Sequence, residues 1–256
     1  MLRHIGKKRN HNHNLRLAVL LCFTAGMVNA AGFFAFSVLT TNVTGHAALL
    51  AHNLATGDLR SARMVSLWLI LFLVGAFFSS FCTGKIFQNK KIGYLVPILS
   101  EVMILIFVGS FGYTFDKSII KTEYFAGSLL FAMGMQNALV STISGYVVRT
   151  THLTGMFTDL GIDLSTLVSA PLQDTVNIRK KIILRLVIIS FFLAGGILGG
   201  YVFLKYKYFT FYIPAGILII SIFFDVFRIM LFRIIRRIKI QCRKPTLTTS
   251  TLLRIR

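Results

Sequence analysis

Six stretches of this chain, residues 15–39, 64–87, 93–113, 123–148, 182–204 and 209–232, are each long and apolar enough to cross a bilayer. A hydrocarbon core about 30 Å thick takes roughly 20 residues of helix. Lipid offers backbone N–H and C=O groups no partner, so such stretches form helices, and the alternation of a membrane barrel is absent. Composition agrees: 55% of residues are apolar and only 14% charged, where soluble proteins carry roughly 25%. The predicted fold class is an all-α membrane protein with six transmembrane helices.

The net charge of +20 would suit nucleic acid if it formed one patch. Instead the basic residues sit at the chain ends and in the gaps between apolar runs, so nucleic acid is not an expected partner. With both ends in the cytoplasm, 22 of the 28 Lys and Arg fall inside, and only Arg60, Arg63, Lys117, Lys121, Lys205 and Lys207 fall outside. That asymmetry orients the chain. The basic tail, residues 233–256, is expected to lie against anionic lipid headgroups.

The chain repeats itself. GMVNA at 26–30 is followed by TTNVTG at 40–45, and GMQNA at 134–138 by TTHLTG at 150–155, with two extra residues in the second copy. Similarity continues beyond these signatures: 72–76 resembles 192–196, Lys85 and Lys205 share a register, and 94–97 resembles 211–214. The unit is therefore three helices. Residues 15–113 form the first copy and 123–232 the second, joined by an external loop at 114–122, with a basic cytoplasmic start at 1–14. An odd number of crossings reverses direction, so the copies are predicted to be inverted about an axis in the membrane plane. The first run, with its basic start and Val28-Asn29-Ala30, also resembles a signal peptide. Cleavage there would destroy one copy of the repeat, and we read it as a retained helix.

Each signature is a poor helix interior, because Thr and Asn compete for backbone hydrogen bonds. Apolar sequence resumes after it, so helices 1 and 4 are each expected to break and restart in a broken or re-entrant segment. Thr41, Asn42 or Thr44 would cap the first restarted piece, whose N–H groups would suit an anion or carboxylate. In the second copy Asp159 and Asp163 share a face, either reaching toward the break or simply facing water. Asn29 and Asn137 lie inside apolar runs at matched positions, to bond between helices or to line a site. Polar breaks at equivalent positions of two halves point to a binding site. The candidate substrate-binding residues are thus Asn29, Thr41, Asn42, Thr44, Gly45, His46, Asn137, Thr151, His152, Thr154, Gly155 and Asp159.

Glu101 is acidic near the middle of a span and is a candidate proton relay. The histidines do not cluster with other ligands, so no metal is expected. Cys22, Cys82 and Cys242 suggest neither disulfide nor zinc site. No nucleotide loop, GxSxG or HExxH occurs, so neither a cofactor nor an enzyme activity is expected.

The signatures GMVNA with TTNVTG, and GMQNA with VVRTTHLTGMFTDLG, resemble the YoaK family of bacterial membrane proteins, built around a domain of unknown function, over residues 15–235. The resemblance implies a six-span protein of the bacterial inner membrane. The chain departs from the family pattern at Asn29, where Asp is common, and at His46 and Met156, where Asn commonly follows Thr-Gly. The expected function is a small-solute transporter or permease with its site where the signatures converge. A non-transporting scaffold or partner-binding protein is the alternative, and a second copy of the chain is a candidate partner.

Overall fold

The computed structural model describes residues 11–86, 93–114, 119–169 and 175–224, and every regular element among them is helical. In chain order these are α1 (His11–Phe36), α2 (Val43–Ala55), α3 (Leu59–Phe81), α4 (Leu95–Phe111), α5 (Ile119–Ser144), α6 (Leu153–Ser169) and α7 (Thr175–Tyr206), then α8 over residues 212–224. A π-helical turn, Cys82–Ile86, extends α3, and 3-10 turns occupy Gly112–Thr114 and Lys207–Phe211. The chain divides into two units, Met1–Ile219 and Ile220–Arg256. In the second, residues 220–224 are helical; the packing described below belongs to the first.

Five helical stretches among the described residues are long and apolar enough to cross a membrane: His11–Phe36, Leu59–Gly84, Leu95–Thr114, Ile120–Ser144 and Thr175–Phe224. They mark the chain as a membrane protein. The last stretch runs through α7, the turn and α8, and its backbone breaks at Lys207, where φ is 51°. It takes in the fifth expected span and the described part of the sixth. Residues 225–232, the basic tail and Cys242 lie outside the described residues, as do residues 1–10.

Several helix boundaries differ from expectation. α3 begins at Leu59, five residues before the expected start, because Asp58 caps it by accepting the Ser61 N–H at 3.1 Å. Arg63 in its second turn meets Glu123 of α5 at 3.1 Å. α7 starts at Thr175, seven residues early, so Arg179, Lys180 and Lys181 are helical rather than loop. Pro97 and Pro214 each take the third position of their helix, where the missing N–H breaks no hydrogen bond.

α1 and α5 form the centre. Their apolar windows are 61% and 67% buried, against 28% for α3, as expected of helices apolar on every face. Gln136 of α5 donates from Nε2 to the Leu21 carbonyl of α1 at 3.0 Å. Each central helix pairs with an outer one, α1 with α7 and α5 with α3, through glycine seams. A Cβ added at Gly26 would fall well inside 3.0 Å of the Phe192 carbonyl oxygen, and one at Gly195 equally close to that of Phe23. On the other seam Gly134 meets the Phe72 carbonyl and Gly75 that of Phe131 in the same way. Small residues that let backbones touch are the usual solution to helix packing in lipid, which supplies no hydrophobic drive between helices.

Both signature segments follow a helix that stops in a left-handed residue. α1 ends at Phe36 in left-handed Ser37 (φ 59°), and α5 ends at Ser144 in left-handed Gly145 (φ 67°), the usual way to stop a helix. The chain then descends along α1. The Thr40 methyl sits where Gly32 lacks a side chain, and Thr41 N–H donates to Asn29 Oδ1 at 3.1 Å. Asn29 is seven residues before the end of α1, about 10 Å down its axis. α2 starts at that depth, capped by Asn42 Oδ1 on the Gly45 N–H at 2.9 Å. The first signature therefore folds back along α1.

Candidate functional site

The two signatures meet in one cavity of about 670 Å³. From the first half it is lined by Asn29 of α1, by Leu39, Thr41 and Asn42 of the linking segment, by Val43 and Thr44 of α2, and by Phe72 of α3. The second half supplies Asn137 and Ser141 of α5, Tyr146, Arg149, Thr151 and His152 of the linking segment, Leu153 and Thr154 of α6, and Phe192 of α7. Fourteen of these sixteen residues form seven pairs in the internal alignment: Asn29 with Asn137, Leu39 with Arg149, Thr41 with Thr151, Asn42 with His152, Val43 with Leu153, Thr44 with Thr154, and Phe72 with Phe192. Ser141 and Tyr146 are unmatched.

The paired residues are held by related contacts that differ in detail. His46 and Met156 donate their N–H groups to the carbonyls of Asn42 and His152, at 3.1 and 3.2 Å, so both helices restart at the same register. Asn42 crowds the face of Gly45, and the His152 ring crowds that of Gly155, leaving no room for a side chain at either glycine. Asn29 spends its amide oxygen on Thr41, whereas the buried Asn137 oxygen has no hydrogen-bond partner. The two-residue insertion falls between Gly145 and Thr150, and it brings Arg149 into the position held by Leu39 in the first copy.

Four of the expected site residues fall elsewhere than in the cavity lining. His46 is buried behind it, donating from Nε2 to the Leu39 carbonyl at 2.7 Å with its ring 5.3 Å from Trp68. Gly45 carries the capped N–H. Gly155 and Asp159 line a second cavity of about 470 Å³, which shares Tyr146, Arg149 and His152 with the first and adds Lys181 and Arg185. Asp159, half exposed, meets Arg185 of α7 at 3.3 Å, and the buried Asp163 pairs with the same guanidinium. These ion pairs hold α6 against α7, as His46 and Trp68 hold α2 against α3. Glu101 is buried on α4 and does not line the cavity. Cys22 and Cys82 are buried free thiols. Among the described residues no group of His, Cys, Asp and Glu is placed to hold a metal ion.

Sequence reasoning did not single out Phe72, Phe192 or Arg149. The first two stood in the extended repeat, at the heads of 72–76 and 192–196, and their matched positions were the available signal. Arg149 counted only as an orienting charge, although it directly precedes the second Thr pair.

No curated protein and no solved structure matches the chain. Residues 17–224, however, match the family described as a protein of unknown function, DUF1275. That span takes in both signatures, both glycine seams and the whole lining of the central cavity. The chain belongs to the DUF1275 family, the YoaK-like proteins of unknown function.

Proposed function

We propose that this protein is a small-solute permease built from two inverted three-helix repeats, with its solute site in the central cavity. The observation that carries the reading is the pairing of the lining: seven residues of one half line the cavity together with their seven counterparts in the other. The reciprocal glycine seams support it, since Gly26 with Phe192 and Gly134 with Phe72 are the same contact made by opposite copies. So does the chain break at Lys207, which separates α7 from a sixth span begun by α8. Inverted repeats with broken helices at their shared interface are a recurrent architecture of secondary transporters, because rocking one half against the other exposes a fixed site to either side. On this reading six spans place both ends in the cytoplasm of a bacterial inner membrane, with the basic tail against anionic headgroups. The activity is non-enzymatic, and a second copy of the chain completes the bundle as a homodimer.

Single cysteines at Thr44 and Thr154, in a chain whose own three cysteines are replaced, test this. Membrane-impermeant maleimide should reach Thr44→Cys from outside and Thr154→Cys from the cytoplasm, and a bound solute should slow both. Labelling of both from one face removes the inverted arrangement. Loss of Asn29 and Asn137 that lowers folding yield and leaves flux intact turns the reading toward a scaffold.

A further inference from the structure

We propose that the solute of the central cavity is a small water-soluble anion, a carboxylate or oxoanion, held by Arg149 and the first turns of α2 and α6. This rests on the permease reading for its location and adds the class of substrate. The charge of the lining is the first reason: no Asp or Glu contributes to it, and Arg149 does. Arg149 has no carboxylate partner among the described residues. Its recorded contact is to His152 Nδ1 at 3.5 Å. A cation entering the cavity would meet that guanidinium with nothing to offset it, whereas an anionic oxygen pair would match its planar fork.

The adjoining cavity of about 470 Å³ shares Arg149 and adds Lys181 and Arg185. Arg185 is taken up by Asp159 and Asp163, so Lys181 is the further cation beside the Arg149 end, where positive charge favours an anion. Inside, Val43 and Thr44 open α2, and Leu153 and Thr154 open α6. Two helix N-termini, from opposite halves, bring their positive ends and first N–H groups to one space. Asn137, whose buried amide oxygen has no hydrogen-bond partner, also lines the cavity, and an amide NH2 can donate to an anion. Leu39 stands opposite Arg149 in the alignment, so the charge lies on the second half alone and anion affinity differs between the two halves.

The test is thermal unfolding of the purified full chain in detergent, with sodium acetate and inorganic phosphate compared against sodium chloride of equal ionic strength, choline and glycerol. Acetate or phosphate should raise the unfolding temperature saturably. Arg149→Gln should weaken that effect roughly tenfold or more, the scale of a charged hydrogen bond, and Arg149→Lys should restore part of it. Because Arg149 is exposed and pairs with no carboxylate among the described residues, Arg149→Gln should unfold at the wild-type temperature when no anion is added, which separates binding from folding. A parallel arm in nanodiscs of phosphatidylglycerol or phosphatidylcholine distinguishes a lipid headgroup from a free anion. Stabilisation by phosphatidylglycerol alone, equal stabilisation of Arg149→Gln, or stabilisation by choline or glycerol instead would overturn the assignment. Anion binding without proteoliposome flux would uphold the site and remove the permease. Flux of a neutral solute, unchanged in Arg149→Gln, would keep the permease and remove the anion.

Discussion

Alanine at Gly26 or Gly134 should destabilise the fold, and by similar amounts, because each glycine holds one of two equivalent seams. At both positions an added Cβ falls about 1 Å too close to a backbone carbonyl of the facing helix, a clash that side-chain rotation cannot relieve. The helices must part along the seam. Forcing a methyl into a close-packed interior costs about 1–3 kcal/mol, and opening a gap of this size forfeits a quarter to a half of the local dispersion energy. Removing a glycine from a helix returns up to about 1 kcal/mol, so a net loss of about 2 kcal/mol is expected at each site. Gly161 provides the control, since a Cβ there meets nothing within 4 Å and alanine should stabilise. Unfolding in mixed micelles under increasing denaturing detergent measures all three. Gly26→Ala with Gly195→Ala should cost less than their sum, because one separation of α1 from α7 accommodates both methyls. Gly26→Ala with Gly75→Ala, on separate seams, should add. Wild-type stability in Gly26→Ala and Gly134→Ala, or losses tied to one half only, would refute the seam argument.

Other consequences are open to the same assays. Asp163→Asn leaves Arg185 with the half-exposed Asp159 alone, and roughly 2–4 kcal/mol should be lost, with much of it recovered when Arg185 is also replaced by Gln. Ser37→Gly should raise stability by about 1 kcal/mol, because Ser37 adopts a left-handed backbone that L-residues resist; Gly145→Ala should lower it for the same reason. The Ser61 side chain and N–H hold Asp58 below the usual carboxylate range. A carboxyl depressed in the folded state contributes stability that is fully present above its unfolded value of about 3.9 and is lost as pH falls through its folded value. Acid unfolding below about pH 4 should therefore be shallower in Asp58→Asn than in wild type, and an unchanged slope would remove Asp58 from the account.

The helices were readable from the sequence because lipid allows few alternatives for a long apolar run. Their ends were less so. The start of α3 depends on Asp58 finding the Ser61 N–H, and Arg60 and Arg63 read as loop charges although they sit in the first two helical turns. The breaks at 37–42 and 145–152 were visible as Thr, Asn and Gly within apolar sequence. The return of the first along α1 was left open because it needs Asn29 to accept from Thr41 and Gly32 to admit the Thr40 methyl. His46 illustrates the limit in the other direction: a polar residue beside the signature turned its ring to Trp68 and became part of the support. Arg149 gained its place from a two-residue insertion whose course no periodicity describes.

Topology remains the most direct test, since everything proposed for the cavity requires the two halves to enter it from opposite faces. Thr56 follows α2 and Val168 lies in the last turn of α6, and both are exposed. In intact cells an impermeant maleimide should label Thr56→Cys, while Val168→Cys should react only after the membrane is opened. Labelling of both positions in intact cells, or of neither, would contradict the inverted repeat.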